Sequence, residues 1–82
     1  MVDRVPLRDM ARSVPTRARG EPVHRLAEPV RVRVWVLTAR GEDVELDAEA
    51  TAWTPRAVHV RFFDAYGREG FAWVWASSVR RV

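Results

Sequence analysis

The stretch VRVRVWVLTARGEDVELDAEA, residues 30–50, decides the fold. Val30, Val32, Val34 and Val36 alternate with Arg31, Arg33, Trp35 and Leu37, and Val44, Leu46, Ala48 and Ala50 alternate with Glu45, Asp47 and Glu49. A period of two is that of half-buried strands, whose successive side chains point to opposite faces. The Glu and Ala content of residues 42–52 is compatible with a helix, yet its apolar positions recur at spacing two. Between the two runs, Ala39, Arg40 and Gly41 make a three-residue hairpin loop with Gly where the backbone needs a positive φ. That loop predicts Val36 opposite Val44 and Val34 opposite Leu46 on one face, with Arg33 opposite Asp47 and Arg31 opposite Glu49 on the other.

The same grammar continues downstream. Val58, Val60 and Phe62 alternate with His59, Arg61 and Phe63. A loop of Thr54, Pro55 and Arg56 would set Val58 against Ala52, Val60 against Ala50 and Phe62 against Ala48, so that large side chains meet small ones in the core. Arg61 then faces Glu49. Ala65, Tyr66 and Gly67 read as another three-residue loop, with Asp64 capping it. Residues 71–76 form a fourth strand, Ala76, Ser77 and Ser78 a tight helical turn, and residues 79–82 a short last strand.

Residues 1–29 differ. Pro6, Pro15, Pro22 and Pro29 each remove a backbone donor and push the preceding residue away from the helical region. No long element fits, a helical turn over residues 6–12 being the most the pattern allows. The segment reads as a flexible arm, and residues 30–82 as the folded domain. All 14 basic residues are Arg, against 11 acids, for a net charge of +3. Six Arg against four acids give the arm +2, and eight Arg against seven acids give the rest +1. The chain has no Lys, Cys, Ile, Asn or Gln, a skew that GC-rich coding produces by itself. Eighty-two residues allow one domain of marginal core. Without Cys there is no disulfide or thiolate metal site. No apolar run approaches the ~20 residues of a membrane span, and no signal-peptide core precedes the domain, so a soluble, cytoplasmic protein is expected.

Five short antiparallel strands within residues 30–82 suit a small closed barrel, which removes exposed edges. The order in Phe71-Ala72-Trp73-Val74-Trp75-Ala76-Ser77-Ser78-Val79, strand, one-turn helix and Val-led last strand, resembles the end of SH3-like and Tudor-like barrels. The acidic loop and paired aromatics of peptide-binding SH3 domains are missing. The chain is also similar to small proteins common in GC-rich actinobacteria, a likeness that implies no activity. A fold of this kind hosts many functions.

The aromatic residues carry the functional question. In the predicted register Trp35, Trp53, Phe63, Phe71, Trp73 and Trp75 point away from the core, beside Arg31, Arg33, Arg61 and His59. Soluble monomers seldom leave such a patch open. A bulge at Glu69 and Gly70 would slip the fourth strand and turn Phe71, Trp73 and Trp75 inward. Alternatively the arm covers them, through Val14, Val23 and Leu26. Left open, the face is a binding platform on which Trp73, Trp75 and Phe63 stack nucleic-acid bases while Arg31, Arg33 and Arg61 contact phosphate. Nucleic-acid association is the first expectation; the alternative is a protein partner or a second copy of the chain on the same face.

Catalysis is not expected. His24 falls in the arm and His59 on a strand; neither has a nucleophile or metal-ligand partner in sequence, and Ser77 and Ser78 are explained by their turn. Gly41, Gly67 and Gly70 are turn glycines, and no phosphate-loop pattern or cofactor motif is present. Plasmid-borne type II dihydrofolate reductases are also small barrels with an arm, but their Val-Gln-Ile-Tyr motif is absent.

Overall fold

The computed structural model describes residues 11–38, 41–63, 67 and 69–82. The described chain is all-β, with β1 (Ala11–Arg12), β2 (His24–Thr38), β3 (Asp43–Trp53), β4 (Ala57–Phe63), β5 (Glu69–Trp75) and β6 (Val79–Arg81). One helical turn, α1 (Thr16–Arg19), and a 3-10 turn at Ala76–Ser78 complete it. The strands form one antiparallel sheet in the order β1-β2-β3-β4-β5, with β6 also on β2.

The β2–β3 hairpin has the register its turn requires. Val36 pairs with Val44, Val34 with Leu46, Arg33 with Asp47 and Arg31 with Glu49. The Thr38 amide donates to the Glu42 carbonyl at 2.8 Å and the Gly41 amide to the Thr38 carbonyl at 2.9 Å, with Gly41 at φ +85°. Such a φ is costly for a residue with a Cβ. Ala39 and Arg40, the rest of the expected loop, lie outside the described residues.

At the β3–β4 turn the register differs from expectation. Trp53 pairs with Val58 and Ala52 with His59, and only beyond a shift at Thr51 do Ala50 with Val60 and Glu49 with Arg61 take the expected pairing. The cause is a tighter turn. The Thr54 amide donates to the Ala57 carbonyl at 2.8 Å, so Pro55 and Arg56 alone form the loop. The buried Thr54 Oγ1 accepts from the amides of Arg56 (3.2 Å) and Ala57 (3.0 Å), and a bulge at Thr51 restores the face alternation. The ladder ends at Glu49 and Arg61, before the expected pair of Phe62 with Ala48.

β4 and β5 pair without interruption from Ala57↔Trp75 to Phe63↔Glu69. No bulge occurs at Glu69 and Gly70, so Ala72 and Val74 face the core and Phe71 and Trp75 do not. Gly67 has a positive φ, while Asp64, Ala65 and Tyr66 of that loop lie outside the described residues. The core is Val32, Val34, Val36, Ala48, Ala50, Val60, Phe62, Ala72 and Val74.

Two expectations need correction. First, the sheet is curled but not closed into a barrel. The free edge of β2 is taken by two short strands, β6 on Val32–Val34 and β1 on Leu37–Thr38. β5 meets the segment after β1 through two bonds, the Val14 amide to the Trp73 carbonyl at 2.8 Å and the Trp73 amide to Ser13 Oγ at 2.7 Å.

Second, residues 11–29, expected as part of an arm, lie against the sheet. β2 starts at His24, not Val30, with His24 opposite Trp53 and Arg25 opposite Ala52. Between Arg25 and Val30 the register shifts, so residues 26–29 bow out opposite Thr51, which accommodates Pro29 without a ladder donor. Leu26 packs on the core from this bow, and Val14 is buried. The expected helical turn over residues 6–12 falls mostly outside the described residues, and Ala11–Arg12 is a strand.

Candidate functional site

The outer face of the sheet carries every side chain expected at the site, but the curl sorts them into three neighbourhoods. Trp35, Trp53, Phe63, Phe71 and Trp75 are between 41% and 56% exposed, whereas Trp73 is half-buried.

The first neighbourhood is a groove of about 270 Å³ at the seam where β5 approaches β1 and β2. Trp35 of β2 and Trp73 and Trp75 of β5 line it, with Leu37, Val74 and the segment Arg12–Pro15. Trp35 and Trp75 belong to strands separated by β3 and β4 in the sheet, so it is the curl that brings them together. At Trp73 the strand edge is occupied, because both its backbone groups are bonded to Ser13 and Val14.

The second lies mid-sheet and is dominated by ion pairs. Arg33 bonds Asp47 at 3.0 Å and lies 3.5 Å from Glu45, which is also 3.6 Å from Arg80. Arg61 on β4 bridges Glu49 on β3 and Glu69 on β5. These bonds, Asp47 for Arg33 and Glu49 then Glu69 for Arg61, hold both guanidinium pKa values above their ordinary range. Phe63 lies beside Arg61, its ring centre 5.5 Å from the guanidinium carbon, and Arg31 lines the same shallow depression. Among the described residues Arg31 has no carboxylate partner.

The third neighbourhood is a cleft of about 240 Å³ lined by Arg19, Val23, Arg25, Ala52, His59 and Trp73. The Arg19 guanidinium carbon sits 4.7 Å above the Trp73 ring, a cation–π contact. The His59 ring is held between neighbours, 5.2 Å from Trp73 and stacked on Phe71 at 5.7 Å. Its Nδ1 shares a 2.7 Å hydrogen bond with Thr51 Oγ1. Burial, then the charges of Arg25 and Arg19, push the His59 pKa below its ordinary value. Trp53 lies nearby in the chain, stacked on His24 at 4.3 Å.

The structure thus separates residues expected to act together. Arg33 and Arg61 are engaged by carboxylates, and the aromatic side chains divide between the seam groove, the ion-paired centre and the His59 cleft. Arg19, Arg25 and Ser13 contribute to these sites without any sequence signal, because the prolines around them read as breakers, whereas Val14 is one of the three residues expected to cover the aromatic face. Thr51 carried no signal either, since a bulge does not disturb the alternation on either side of it. Among the described residues no three His, Asp or Glu side chains gather as a metal would require, and no helix is long and apolar enough to cross a membrane. Comparison of the chain with protein-family models, curated proteins and solved structures finds no match to any of them.

Proposed function

We propose that the chain is a non-catalytic interaction module that receives an apolar side chain of a protein partner in the seam groove. The observation that carries this reading is the convergence of Trp35, Trp73 and Trp75 on one groove, with Trp35 and Trp75 about half exposed. Aromatic residues around a concave site supply contact area at low entropic cost and dominate interface energetics. The groove's 270 Å³ suits one large side chain of a partner better than an extended strand. Strand addition at this edge is opposed by the bonds already made at Trp73. An SH3-like or Tudor-like relationship belongs to the same proposal, supported by the order β5, 3-10 turn, β6 and by the curl of the sheet.

Selection of peptides from a random library on the full chain tests this. Peptides with a shared aromatic or large aliphatic residue are expected, and their binding should be lost in a Trp35→Ser, Trp75→Ser double variant whose melting is unchanged. Peptides that bind the double variant equally well, or no enrichment, would refute it. Sedimentation of the chain alone reports whether the partner is a second copy.

A second reading, association with single-stranded nucleic acid across Phe63 and Phe71, is favoured by Arg31, which lines the depression beside Phe63 and forms no ion pair among the described residues. It requires stacking on the exposed rings and steep weakening with salt. The pairing of Arg33 and Arg61 counts against it, since phosphate would have to displace a carboxylate from each.

A further inference from the structure

Three basic residues of the sheet are paired with acidic neighbours. Arg33, Arg61 and Arg80 each sit against a carboxylate. Arg19 and Arg25 do not. They line the same cleft as His59 and Trp73, and among the described residues no carboxylate engages either of them. No Asp or Glu lines that cleft.

Two guanidiniums converging without a counter-charge are uncommon unless water or a ligand supplies one, because like charges in a partly enclosed site repel. The arrangement is also held in place. Arg19 is fixed at three points: the Thr54 hydroxyl donates to its carbonyl, its amide donates to the Pro15 carbonyl at 3.0 Å, and its guanidinium lies on the Trp73 ring. Its Nε is buried and lacks a hydrogen-bond partner. Arg25 is held by the ladder opposite Ala52. His59 spends Nδ1 on Thr51, which leaves Nε2 as the ring nitrogen still able to donate or accept.

We infer that the Arg19–Arg25–His59–Trp73 cleft is a binding site for the phosphate group of a small phosphomonoester. Guanidinium forks match phosphate oxygens in pairs, and two such charges balance a dianion better than a single carboxylate. The cleft's 240 Å³ corresponds to about eight waters' share of liquid volume, room for a phosphate and a small organic group. Val23 and Ala52 supply its apolar wall, and the Trp73 and His59 rings give the organic part a surface to lie on. The geometry therefore favours an aromatic or otherwise flat phosphomonoester over inorganic phosphate.

Titration of the full chain with phenyl phosphate, inorganic phosphate and benzoate tests this by calorimetry and by NMR of the His59 ring and the Trp indoles. Saturable binding is expected, tightest for phenyl phosphate, with shifts at His59 and Trp73 and none at Trp35 or Trp75. Arg19→Gln and Arg25→Gln should each weaken it about tenfold or more, as the loss of a charge-assisted hydrogen bond implies. Arg81→Gln, at an exposed position that does not line the cleft, should leave it unchanged and serves as the folded control. Benzoate binding as tightly as phenyl phosphate would replace the phosphate assignment with a general anion site. Unsaturable shifts, or equal weakening by Arg81→Gln, would overturn the site altogether.

Discussion

The Thr54 hydroxyl donates to the Arg19 carbonyl, joining the turn between β3 and β4 to the end of α1 across 35 positions of sequence. The same oxygen accepts from the amides of Arg56 and Ala57, while the Arg56 carbonyl accepts from the Ala76 amide at 3.0 Å. One buried hydroxyl therefore ties the N-terminal segment to the β3–β4 turn, and the Arg56 carbonyl ties that turn to Ala76 beyond β5.

Thr54→Val keeps the shape of the side chain and removes that hydroxyl, leaving the Arg19 carbonyl and two amides without their partner. A buried group so orphaned costs about 1–3 kcal/mol, and each kcal/mol shifts the melting point of a domain this size by about 4–8 °C. Thr54→Ser restores the hydroxyl and should recover most of the loss. Equal melting of the Val variant and the parent would show that water replaces these bonds at no cost.

Much of the sheet was legible because side-chain period and turn type are local properties. The Val34↔Leu46 and Arg33↔Asp47 pairs follow from a loop ending in Gly41, and the outward direction of Trp75 follows from its alternation with Val74. The β3–β4 register was legible at Ala50↔Val60 and Glu49↔Arg61 but not at the turn, since Thr54 could serve as a loop residue or as the last paired one, and only its bonds to Arg19 and Ala57 settle which. Curvature was expected in the form of a closed barrel, which the sheet does not form, and which strands meet across the curl was not legible. Alternation tells which face a side chain occupies but not which other strand that face will meet, so the meeting of Trp35 with Trp75 had no sequence signature. The prolines hid the N-terminal segment, because Pro29 can interrupt a strand by bowing out of it and need not end it.

Gly41 isolates the cost of turn conformation. A Cβ at this position meets nothing within 4 Å among the described residues, so Gly41→Ala isolates the cost of a φ of +85°. Unfolding by urea should show a loss of about 1–2 kcal/mol, with the Asn variant falling between Ala and Gly. A neutral Ala variant would mean that the loop relaxes to another turn type.

Phe62 is nearly inaccessible at the centre of the core. Phe62→Ala should cost about 3–5 kcal/mol, against a total stability of roughly 4–12 kcal/mol for a domain of this length. The variant should be largely unfolded or melt far below the parent by circular dichroism, whereas Phe62→Leu should retain a cooperative transition. Trp75→Ser, on the exposed side of β5, should change melting little.

Arg61 links three strands through Glu49 and Glu69, and its contribution should depend on salt because the groups are open to solvent. Arg61→Gln should lower the melting point in dilute buffer, and the difference should shrink at high ionic strength. A difference insensitive to salt would assign the effect to packing of the Arg stem against Phe63 instead.

His59 makes stability depend on pH in a direction that can be worked out. Its pKa in the fold lies below the ordinary value near 6.5, which the unfolded chain retains, because burial and the charges of Arg25 and Arg19 disfavour the imidazolium. The unfolded state thus binds the proton first as pH falls. Stability from this group is complete above about pH 6.5, declines as pH drops toward the folded value, and levels off once both states are protonated. Urea unfolding of the parent across pH 7.5 to 5 should show that decline, and His59→Gln should remove it. Arg25→Gln tests the cause: with one repelling charge gone, the His59 ring should titrate at higher pH by NMR and the decline should become smaller. If the ring titrates at the same pH in that variant, burial and the charge of Arg19 depress it, and Arg25 does not act on His59 across the cleft.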